Sequence, residues 1–296
     1  MELTKDSLSP FVIGTMRLGK WGQQMTTKQL EAFVKDSVEL GLIDFDHADI
    51  YGDYTTEAEF GMLFKEQPAL RQQIRLISKC GIKMVAAERP EHAIKSYDLS
   101  AAHIKASVEN SLTALRTDYL DMLLLHRADL LMDPAEIAEA FDLLKREGKV
   151  LKFGVSNFSV SQFDLLHSYT PLIANQVEIS LQNRIAFENG VLDQCLKGGI
   201  IPMAWSPVGG GALFQEGVSG AIKALQVAAR ALSIKYDAGI DQILMAWLRK
   251  HPAGIVPVLG TSKIERIKAA QASLQITITR EEWYALWQAA TGEEIA

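Results

Sequence analysis

The sequence predicts a (β/α)8 TIM barrel, a closed ring of eight parallel strands with helices outside, built as a single domain over residues 1–296. Three observations support this prediction. Short apolar runs alternate with amphipathic helical stretches along the whole chain. The length suits one barrel, and 48% of the residues are hydrophobic, enough for a large core. No segment resembles a linker or a low-complexity region.

In the first half of the chain, apolar runs that end in polar residues predict strands over residues 11–14, 42–46, 75–79 and 119–125. Helices are predicted between them from capping signals and from apolar residues at helical spacing. Thr26 or Thr27 starts a helix that stops before Gly41. A second helix covers about 56–65, and Ser100 caps a third that runs to about 115.

In the second half, the same patterns predict strands over residues 150–155, 172–177, 200–205 and 254–259. Asp133 followed by Pro134 starts a helix that ends near residue 148, and further helices begin near residues 159, 190 and 263. An extra C-terminal helix begins at Thr279, where Thr279-x-x-Glu282 forms a capping box.

Two predicted connections are too long to be simple turns: residues 81–99 after the third strand and 206–239 after the seventh. Long loops in compact domains are usually functional. Both follow the carboxyl end of a strand, where barrel enzymes place their active sites. An open doubly wound sheet is the rival architecture, but it would carry a glycine fingerprint after the first strand that residues 14–19 do not match.

Charge and cysteine content narrow the class of protein. The formal net charge is −6, so neither nucleic acid nor an anionic membrane is an expected partner. No apolar run reaches bilayer length, and residues 1–10 lack the apolar region of a secretory signal. Cys80 and Cys195 form neither a metal spacing nor a disulfide framework, which favours a reducing compartment, and we expect a cytoplasmic protein.

Polar residues of complementary chemistry follow the predicted strands. Asp46 and Tyr51 follow the second strand, Lys79 ends the third and His126 follows the fourth. Any one of them could simply be the polar end of a barrel strand, but together they can bind and protonate a reacting oxygen. A free tyrosine has a pKa of about 10, so it works near neutral pH only if its ionised form is favoured. A buried lysine beside the phenol does that.

Six short segments lie at the ends of predicted strands: Asp46-x-Ala48-x-x-Tyr51-Gly52, Ile77–Lys79, Leu124–His126, Gly154–Phe158, Asn175–Glu178 and Trp205–Pro207. In this order they resemble the aldo-keto reductase superfamily, and the resemblance covers about residues 14–270. Within the superfamily, residues 46–52, 78–81 and 203–206 are most similar to the bacterial YdhF-type oxidoreductases. The resemblance implies a barrel enzyme that reduces a small-molecule aldehyde or ketone with NADPH.

The resemblance assigns a role to each of four catalytic residues. Tyr51 would donate a proton to the carbonyl oxygen, which becomes negatively charged when hydride reaches its carbon. Lys79 would lower the pKa of Tyr51, and Asp46 would keep Lys79 charged and oriented. His126 would hydrogen-bond the substrate oxygen, and so counts as a substrate-binding residue as well.

Aromatic residues and a long loop are expected to form the wall of the substrate pocket. Trp21, Tyr54 and the loop over residues 81–99 are the candidates, because loops wall the site of a barrel enzyme. The same aromatic residues could equally be packing residues.

The resemblance also indicates how the cofactor binds. Ser156, Asn157 and Gln176 match positions that hold the nicotinamide carboxamide, and Trp205 matches the aromatic residue that stacks on the ring. Residues 206–213 resemble the loop over the pyrophosphate, where glycines let backbone N–H groups approach phosphate oxygens. The expected cofactor-binding residues are Met16, Ser156, Asn157, Gln176, Trp205, Ser206, Pro207, Gly209, Gly211, Leu213, Gly260, Thr261, Ser262, Lys263 and Arg266.

NADPH is expected over NADH because of the segment after the eighth strand. It starts a helix, whose N-terminal amides can bind phosphate, and it carries Lys263 and Arg266. Glu265 is the only acid there and is expected to point away. Where some relatives have Lys, this chain has Gly260.

Two further departures concern the adenine contact and the end of the second strand. Ala269 and Ala270 stand where many members carry Glu and Asn that contact adenine. His47 stands where many members have Thr, and no role for it is evident from the sequence.

Three alternatives stay open. A metal-dependent barrel hydrolase could use Asp44, Asp46, His47 and Asp49, but no second ligand cluster follows the later strands, Lys79 would be costly beside a metal, and we expect none. A Schiff-base lyase could use Lys79 as its nucleophile. A non-catalytic, cofactor-binding regulatory barrel would keep the same fold.

Overall fold

The computed structural model describes residues 8–295, and the predicted lack of a secretory signal falls mostly on residues outside that range. Within it, eight parallel strands close into a barrel in the order β1-β8-β7-β6-β5-β4-β3-β2. The predicted barrel is therefore confirmed. The strands are β1 (Val12–Gly14), β2 (Asp44–Asp46), β3 (Arg75–Cys80), β4 (Leu120–Leu125), β5 (Val150–Ser156), β6 (Ala174–Glu178), β7 (Ile201–Trp205) and β8 (Val256–Leu259).

Helices lie outside the ring, and five of the ten main ones within residues 8–295 begin at predicted caps. The side chains of Thr26, Ser100, Asp133, Ser159 and Thr279 each accept a hydrogen bond from a first-turn amide. The main helices are α1 (Thr27–Glu39), α2 (Thr56–Glu66), α3 (Ala101–Leu115), α4 (Pro134–Arg146), α5 (Val160–His167), α6 (Val191–Gly198), α7 (Gly220–Lys235), α8 (Ile240–Arg249), α9 (Ile264–Ala272) and α10 (Arg280–Thr291).

The two long connections contain regular structure that the sequence analysis did not predict. After β3, Ile82–Lys83 pairs antiparallel with Ser96–Tyr97 to form a small hairpin. After β7, only residues 206–219 form a loop, with a 3-10 segment at Gly209–Phe214, and α7 and α8 follow before β8. The alanine, leucine and lysine content of residues 220–235 favours this helix.

The core has two apolar layers. One lies between the strands and the surrounding helices, and the other fills the barrel interior. Gly154 of β5 allows close packing here, because a Cβ at this position would lie 2.7 Å from the Leu124 side chain and 2.8 Å from the Ala174 carbonyl oxygen. The interior layer includes Val12, Ile77, Met122, Leu124, Ala174, Ile201, Met203, Val256 and Val258.

Buried ion pairs occupy the amino ends of the strands. Arg75 Nε donates to Asp44 Oδ1 at 2.6 Å, and Arg71 Nη2 to Asp121 Oδ2 at 3.0 Å. Asp44 also accepts a hydrogen bond from the Ser9 amide at 2.7 Å. These carboxylates stabilise the base of the barrel, so the polar residues left for chemistry lie at the opposite, carboxyl ends.

The C-terminal helix α10 is attached to α8 by stacked indoles. The Trp247 and Trp283 rings lie 4.9 Å apart at an interplanar angle of 9°. Each indole N–H donates to the backbone carbonyl of the other residue, both at 3.1 Å. Trp287 stacks on Trp283 at 5.4 Å. None of the helices within residues 8–295 is long and apolar enough to cross a bilayer.

Candidate active site

The ammonium group of Lys79 lies at the centre of the predicted tetrad. Its Nζ donates to Asp46 Oδ2 at 2.7 Å, to the His47 carbonyl oxygen at 2.8 Å and to Tyr51 Oη at 3.0 Å. Three acceptors match the three N–H groups of an ammonium. The parallel pairing of β2 with β3 brings the carboxyl ends of both strands together and so places Asp46 beside Lys79.

Opposing effects set the pKa values of Lys79 and Tyr51. Burial lowers the pKa of Lys79, but Asp46 and Tyr51 together raise it by more than burial lowers it, so the net shift is upward. Burial raises the pKa of Tyr51, and the Lys79 charge offsets only part of that rise. The expected lowering by Lys79 is thus present, but desolvation outweighs it. A charged lysine beside a protonated phenol is an arrangement that can donate a proton.

A strained turn holds Tyr51 in place. It begins a single helical turn, Tyr51–Tyr54, in which Gly52, Asp53 and Tyr54 have φ values of 61°, 56° and 69°. Left-handed backbone in a residue with a side chain costs of the order of 1–3 kcal/mol and persists only where its surroundings enforce it. Thr55 Oγ1 donates to the Gly52 carbonyl at 2.8 Å and braces the turn.

His126 follows β4 and lies beside the Tyr51 ring. Its ring centroid lies 6.0 Å from that of Tyr51 in an edge-to-face arrangement. Burial, then the charges of Lys79, Arg127 and Lys95, hold its pKa well below the usual value, so the imidazole is neutral. Nδ1 is enclosed and has no hydrogen-bond partner among the described residues. Because an enclosed N–H without an acceptor is costlier than an enclosed lone pair, the proton belongs on Nε2, which can donate outward.

Four predicted cofactor residues form one hydrogen-bonded network. Ser156 Oγ donates to the Gln176 carbonyl at 2.9 Å, Asn157 Nδ2 donates to Ser156 Oγ at 2.7 Å, and Trp205 Nε1 donates to Asn157 Oδ1 at 3.1 Å. Gln176 Nε2 donates to Asp46 Oδ1 at 3.1 Å. The structure therefore joins the predicted nicotinamide residues to the predicted tetrad through a single carboxylate.

The glycine segment after β7 needs its glycines. Gly209, Gly210 and Gly211 have φ values of 59°, 65° and 90°, a region that other residues adopt at a cost. A Cβ on Gly209 would overlap the Gln182 side chain. Both polar atoms of the Gln182 amide are enclosed, with no hydrogen-bond partner among the described residues. Of the other predicted residues here, Leu213 and Pro207 are buried, and Ser206 is half-buried.

The predicted phosphate segment lies exposed at the start of α9. Lys263 caps the helix without a side-chain hydrogen bond, and its amide donates to Thr261 Oγ1 at 3.2 Å. Lys263 and Arg266 are exposed and make no ion pair within residues 8–295. Gly260 is exposed, and Ser262 is half-buried. Two uncompensated cations beside first-turn amides form a surface suited to an anion.

The structure separates the predicted pocket residues. The Trp21 ring lies 6.2 Å from Tyr51, and its indole N–H donates to Asp53 Oδ1 at 3.1 Å. Tyr54 instead accepts from the Met84 amide at 2.8 Å and, with Asp49, lines a separate cavity of about 180 Å³ between the hairpin and α3. Of the two aromatic candidates, Trp21 therefore lies beside Tyr51 of the tetrad, whereas Tyr54 faces the separate cavity. Met16 is half-buried just beyond β1.

His47 has a structural position, which the sequence did not reveal. Because Thr15 Oγ1 donates to the Asp46 carbonyl at 3.0 Å, it accepts from His47 Nδ1, 3.1 Å away. The ring packs edge-on against Phe60 at 4.5 Å. Burial, with a smaller contribution from Lys79, lowers the pKa of His47 to about 3. His47 is thus a neutral group that ties β1 to β2.

The ligand set of the metal-hydrolase alternative is dispersed. Asp44 pairs with Arg75 at the base of the barrel and Asp46 with Lys79, while Asp49 faces the cavity beside α3. Within residues 8–295, no group of three or more His, Cys, Asp or Glu side chains is arranged to hold a metal ion.

Two side chains near the site were missed. Arg127 directly follows His126, so its position after a site strand was the available signal. Gln182 contacts the glycine segment only through tertiary packing, and no sequence signal marks it.

A sequence model of the aldo/keto reductase family matches residues 10–290. The chain belongs to the aldo/keto reductase family. This aldo/keto reductase is 42% identical to oxidoreductase YdhF of Escherichia coli strain K12, over 97% of this chain and 95% of YdhF. It is 41% identical to a 6-dehydroglucose reductase of Agrobacterium fabrum, over 99% of this chain and 97% of that protein. The predicted similarity to YdhF-type oxidoreductases is confirmed.

The fold agrees with solved structures of the same family. An aldo/keto reductase from Klebsiella pneumoniae, crystallised in complex with NADP and acetate, superimposes on this aldo/keto reductase with a TM-score of 0.75. The two are 26% identical, over 94% of this chain and 90% of the other. Family membership makes the chain an oxidoreductase.

Proposed function

We propose that this aldo/keto reductase uses NADPH to reduce an aldehyde or ketone, with Tyr51 as the proton donor. The supporting observation is the hydrogen-bonded chain Tyr51–Lys79–Asp46, with a neutral His126 beside the Tyr51 ring. We also propose that residues 1–296 act as one domain in the cytoplasm, in keeping with a chain that has two cysteines, both buried.

Each residue of the tetrad contributes one physical step. NADPH, when bound, supplies the hydride. His126 donates its Nε2 proton in a hydrogen bond to the substrate carbonyl oxygen and so orients it. Tyr51 stays protonated because burial keeps its pKa high, and it transfers that proton as negative charge develops on the oxygen. Lys79 stabilises the tyrosinate left behind, and Asp46 keeps Lys79 charged and fixed.

The residues present fit this cofactor at both of its ends. Ser156, Asn157 and Gln176 would hold the carboxamide, and Trp205 would stack on the nicotinamide ring. The Gln182 amide is enclosed and has no hydrogen-bond partner among the described residues, and it lies against the glycine segment that would cover the pyrophosphate. The uncompensated Lys263 and Arg266 would hold the ribose phosphate. The NADP complex of the Klebsiella pneumoniae relative supports this assignment.

The relatives support a narrower choice of first substrate. A chain 41% identical over almost its whole length is a 6-dehydroglucose reductase, so we propose a sugar-derived aldehyde as the first compound to test.

The decisive experiment replaces Tyr51 by Phe and follows NADPH oxidation with a panel of aldehydes and ketones. We expect NADPH affinity to be kept and turnover to fall roughly 10²–10⁴-fold, because general acid catalysis contributes that much. Tyr169→Phe, which removes a hydroxyl from an exposed tyrosine, is the matched control. Turnover of Tyr51→Phe close to that of the wild type would remove Tyr51 from the mechanism. NADPH binding without any turnover in the wild type would favour the regulatory alternative.

A further inference from the structure

Arg127 places a positive charge at the mouth of the proposed site. The residue directly follows His126, and its Nη1 donates to the His126 carbonyl oxygen at 2.6 Å. The side chain is half-buried, and it makes no ion pair within residues 8–295. A guanidinium has five N–H donors, and this contact uses one of them.

The charge of Arg127 is felt by the residues of the tetrad. Together with Lys79 and Lys95 it disfavours protonation of His126, and it also interacts electrostatically with Tyr51 and Tyr97. The charge of Arg127 therefore reaches both Tyr51 and His126, and that of Lys95 reaches His126, the two residues that a substrate carbonyl would contact.

Carboxylates on the neighbouring loops are bound elsewhere. Asp53 pairs with Lys20 at 2.8 Å, and Asp98 lies 3.7 Å from Lys83. Asp129 accepts from the backbone amides of Leu99 at 3.2 Å and Leu131 at 2.9 Å. Although the chain carries a net charge of −6, no acid among the described residues neutralises Arg127 or Lys95.

We propose that Arg127, whose guanidinium is joined to the His126 backbone, binds hydrogen-bond-accepting oxygens of the substrate beyond its carbonyl group, and that Lys95 adds its charge from the hairpin that precedes α3. The preferred substrates would then carry hydroxyl or carboxylate oxygens. A half-buried guanidinium gains most from such acceptors, because charge-assisted hydrogen bonds are the strong ones and Arg presents a planar fork of donors. This inference rests on the proposed reductase function and identifies the substrate class of the same site.

Apolar residues nearby support the opposite expectation. Leu130 and Leu131, three and four residues after Arg127, are 89% and 91% exposed. A large apolar aldehyde could pack against these two leucines without contacting Arg127 or Lys95. The experiment must therefore compare substrates that differ only in their oxygens.

Two matched pairs of aldehydes make that comparison. Para-carboxybenzaldehyde is paired with para-methylbenzaldehyde, and glyceraldehyde with propanal. The first pair tests a carboxylate and the second tests hydroxyls. We expect Arg127→Gln to lower kcat/KM about tenfold or more for whichever oxygen-bearing member the site accepts, mainly through KM. The matched apolar aldehydes should lose much less, which controls for any disturbance of His126.

Lys95→Gln should act in the same direction but more weakly, because Lys95 is exposed. Lys83→Gln is the matched control, since it removes an equal charge from the same hairpin but one already paired with Asp98. An equal loss on both members of each pair in Arg127→Gln would overturn the proposal. So would an unchanged kcat/KM in that variant.

A binding arm separates this inference from the proposed function. Calorimetric titration of the protein–NADP⁺ complex with para-carboxybenzyl alcohol and glycerol should show weaker binding in Arg127→Gln than in the wild type. If the wild type reduced no aldehyde, the reductase proposal would fail, and the titration would still decide whether Arg127 binds oxygen-bearing ligands. Unaltered affinity for both alcohols would count against it.

Discussion

The three oxygens that accept hydrogen bonds from Lys79 have different roles. The His47 carbonyl fixes direction and the Tyr51 hydroxyl is the proposed reacting group, while Asp46 supplies the charge that raises the pKa of this buried amine. Removing the amine and removing the carboxylate should therefore produce different defects.

We predict that Lys79→Met and Asp46→Asn both lower turnover, and that Lys79→Met is the worse. Without Lys79 the tyrosinate loses the ammonium that donates to it and keeps only the more distant charge of Arg127. In Asp46→Asn the ammonium keeps the His47 carbonyl, the Tyr51 hydroxyl and an amide oxygen. The pH–rate profile for reduction should lose its basic limb in Lys79→Met only. Lys79→Met leaves the buried Asp46 without its ion-pair partner, and breaking a buried pair destabilises a fold by about 3–5 kcal/mol. The thermal unfolding of each variant must therefore be measured together with its kinetics. A greater loss in Asp46→Asn would reverse the assigned hierarchy.

At this scale, the sequence predicted residue types better than residue environments. The tetrad could be chosen because Asp46, Tyr51, Lys79 and His126 follow strands whose carboxyl ends meet. The direction of the Tyr51 pKa shift could not be predicted from the sequence, because it depends on how completely the phenol is buried. The structural contact of His47 depends on Thr15, 32 residues earlier in the chain, which no local pattern reveals.

We propose that the start of α9 discriminates between the two nicotinamide cofactors. They differ by one phosphate, so preference requires positive charge at one point of the site. Lys263 and Arg266 are exposed there and form no ion pair within residues 8–295, and Glu265 on the same turn is exposed as well.

We predict that NADPH binds at least about tenfold more tightly than NADH, because each charge-assisted hydrogen bond contributes about 1.5–3 kcal/mol. Arg266→Ala should raise the Kd for NADPH and leave the Kd for NADH nearly unchanged. Lys268→Ala removes a charge from another face of the same helix and should change neither. Fluorescence titration at low salt measures all four constants. Equal affinities of the wild type for NADPH and NADH would show that α9 does not bind the ribose phosphate of NADPH.

At the scale of elements, prediction succeeded where the signal is local. The capping box at the start of α10 was read from two residues, and both of its hydrogen bonds are present, at 3.1 and 2.7 Å. The hairpin after β3 was missed because its strands have two residues each and pair across twelve intervening residues. The prediction of a loop over residues 220–235 was wrong, because the composition of this segment favours helix.

Buried titratable groups make the stability of the whole molecule depend on pH. His47 stays neutral in the folded state, with a pKa of about 3, whereas an unfolded histidine titrates near 6.5. The unfolded chain therefore takes up a proton first as the pH falls, and the contribution of His47 to stability is lost below about 6.5. Asp49 and Glu57 act in the opposite direction, because burial raises their pKa values and the folded state holds their protons more tightly.

We predict that the wild type loses about 2 kcal/mol of unfolding free energy relative to His47→Asn between pH 6.5 and 5, at 1.36 kcal/mol per pH unit. Asparagine can still donate to Thr15 but does not titrate. The difference between the two proteins cancels the contributions of Asp49 and Glu57. Urea unfolding across this pH range provides the measurement. Parallel curves for the two proteins would mean that His47 takes up its proton as readily in the folded state as in the unfolded chain.

The paired indoles of Trp247 and Trp283 have an optical consequence. Two chromophores stacked 4.9 Å apart at 9° share their electronic excitation, and a third, Trp287, lies next to them. Excitons in such an assembly give circular dichroism that isolated indoles do not. Because Trp247 belongs to α8 and the other two to α10, the signal exists only while α10 is docked. The last helix thus carries a built-in spectroscopic reporter of its own attachment, far in sequence from Trp205 and the proposed nicotinamide site.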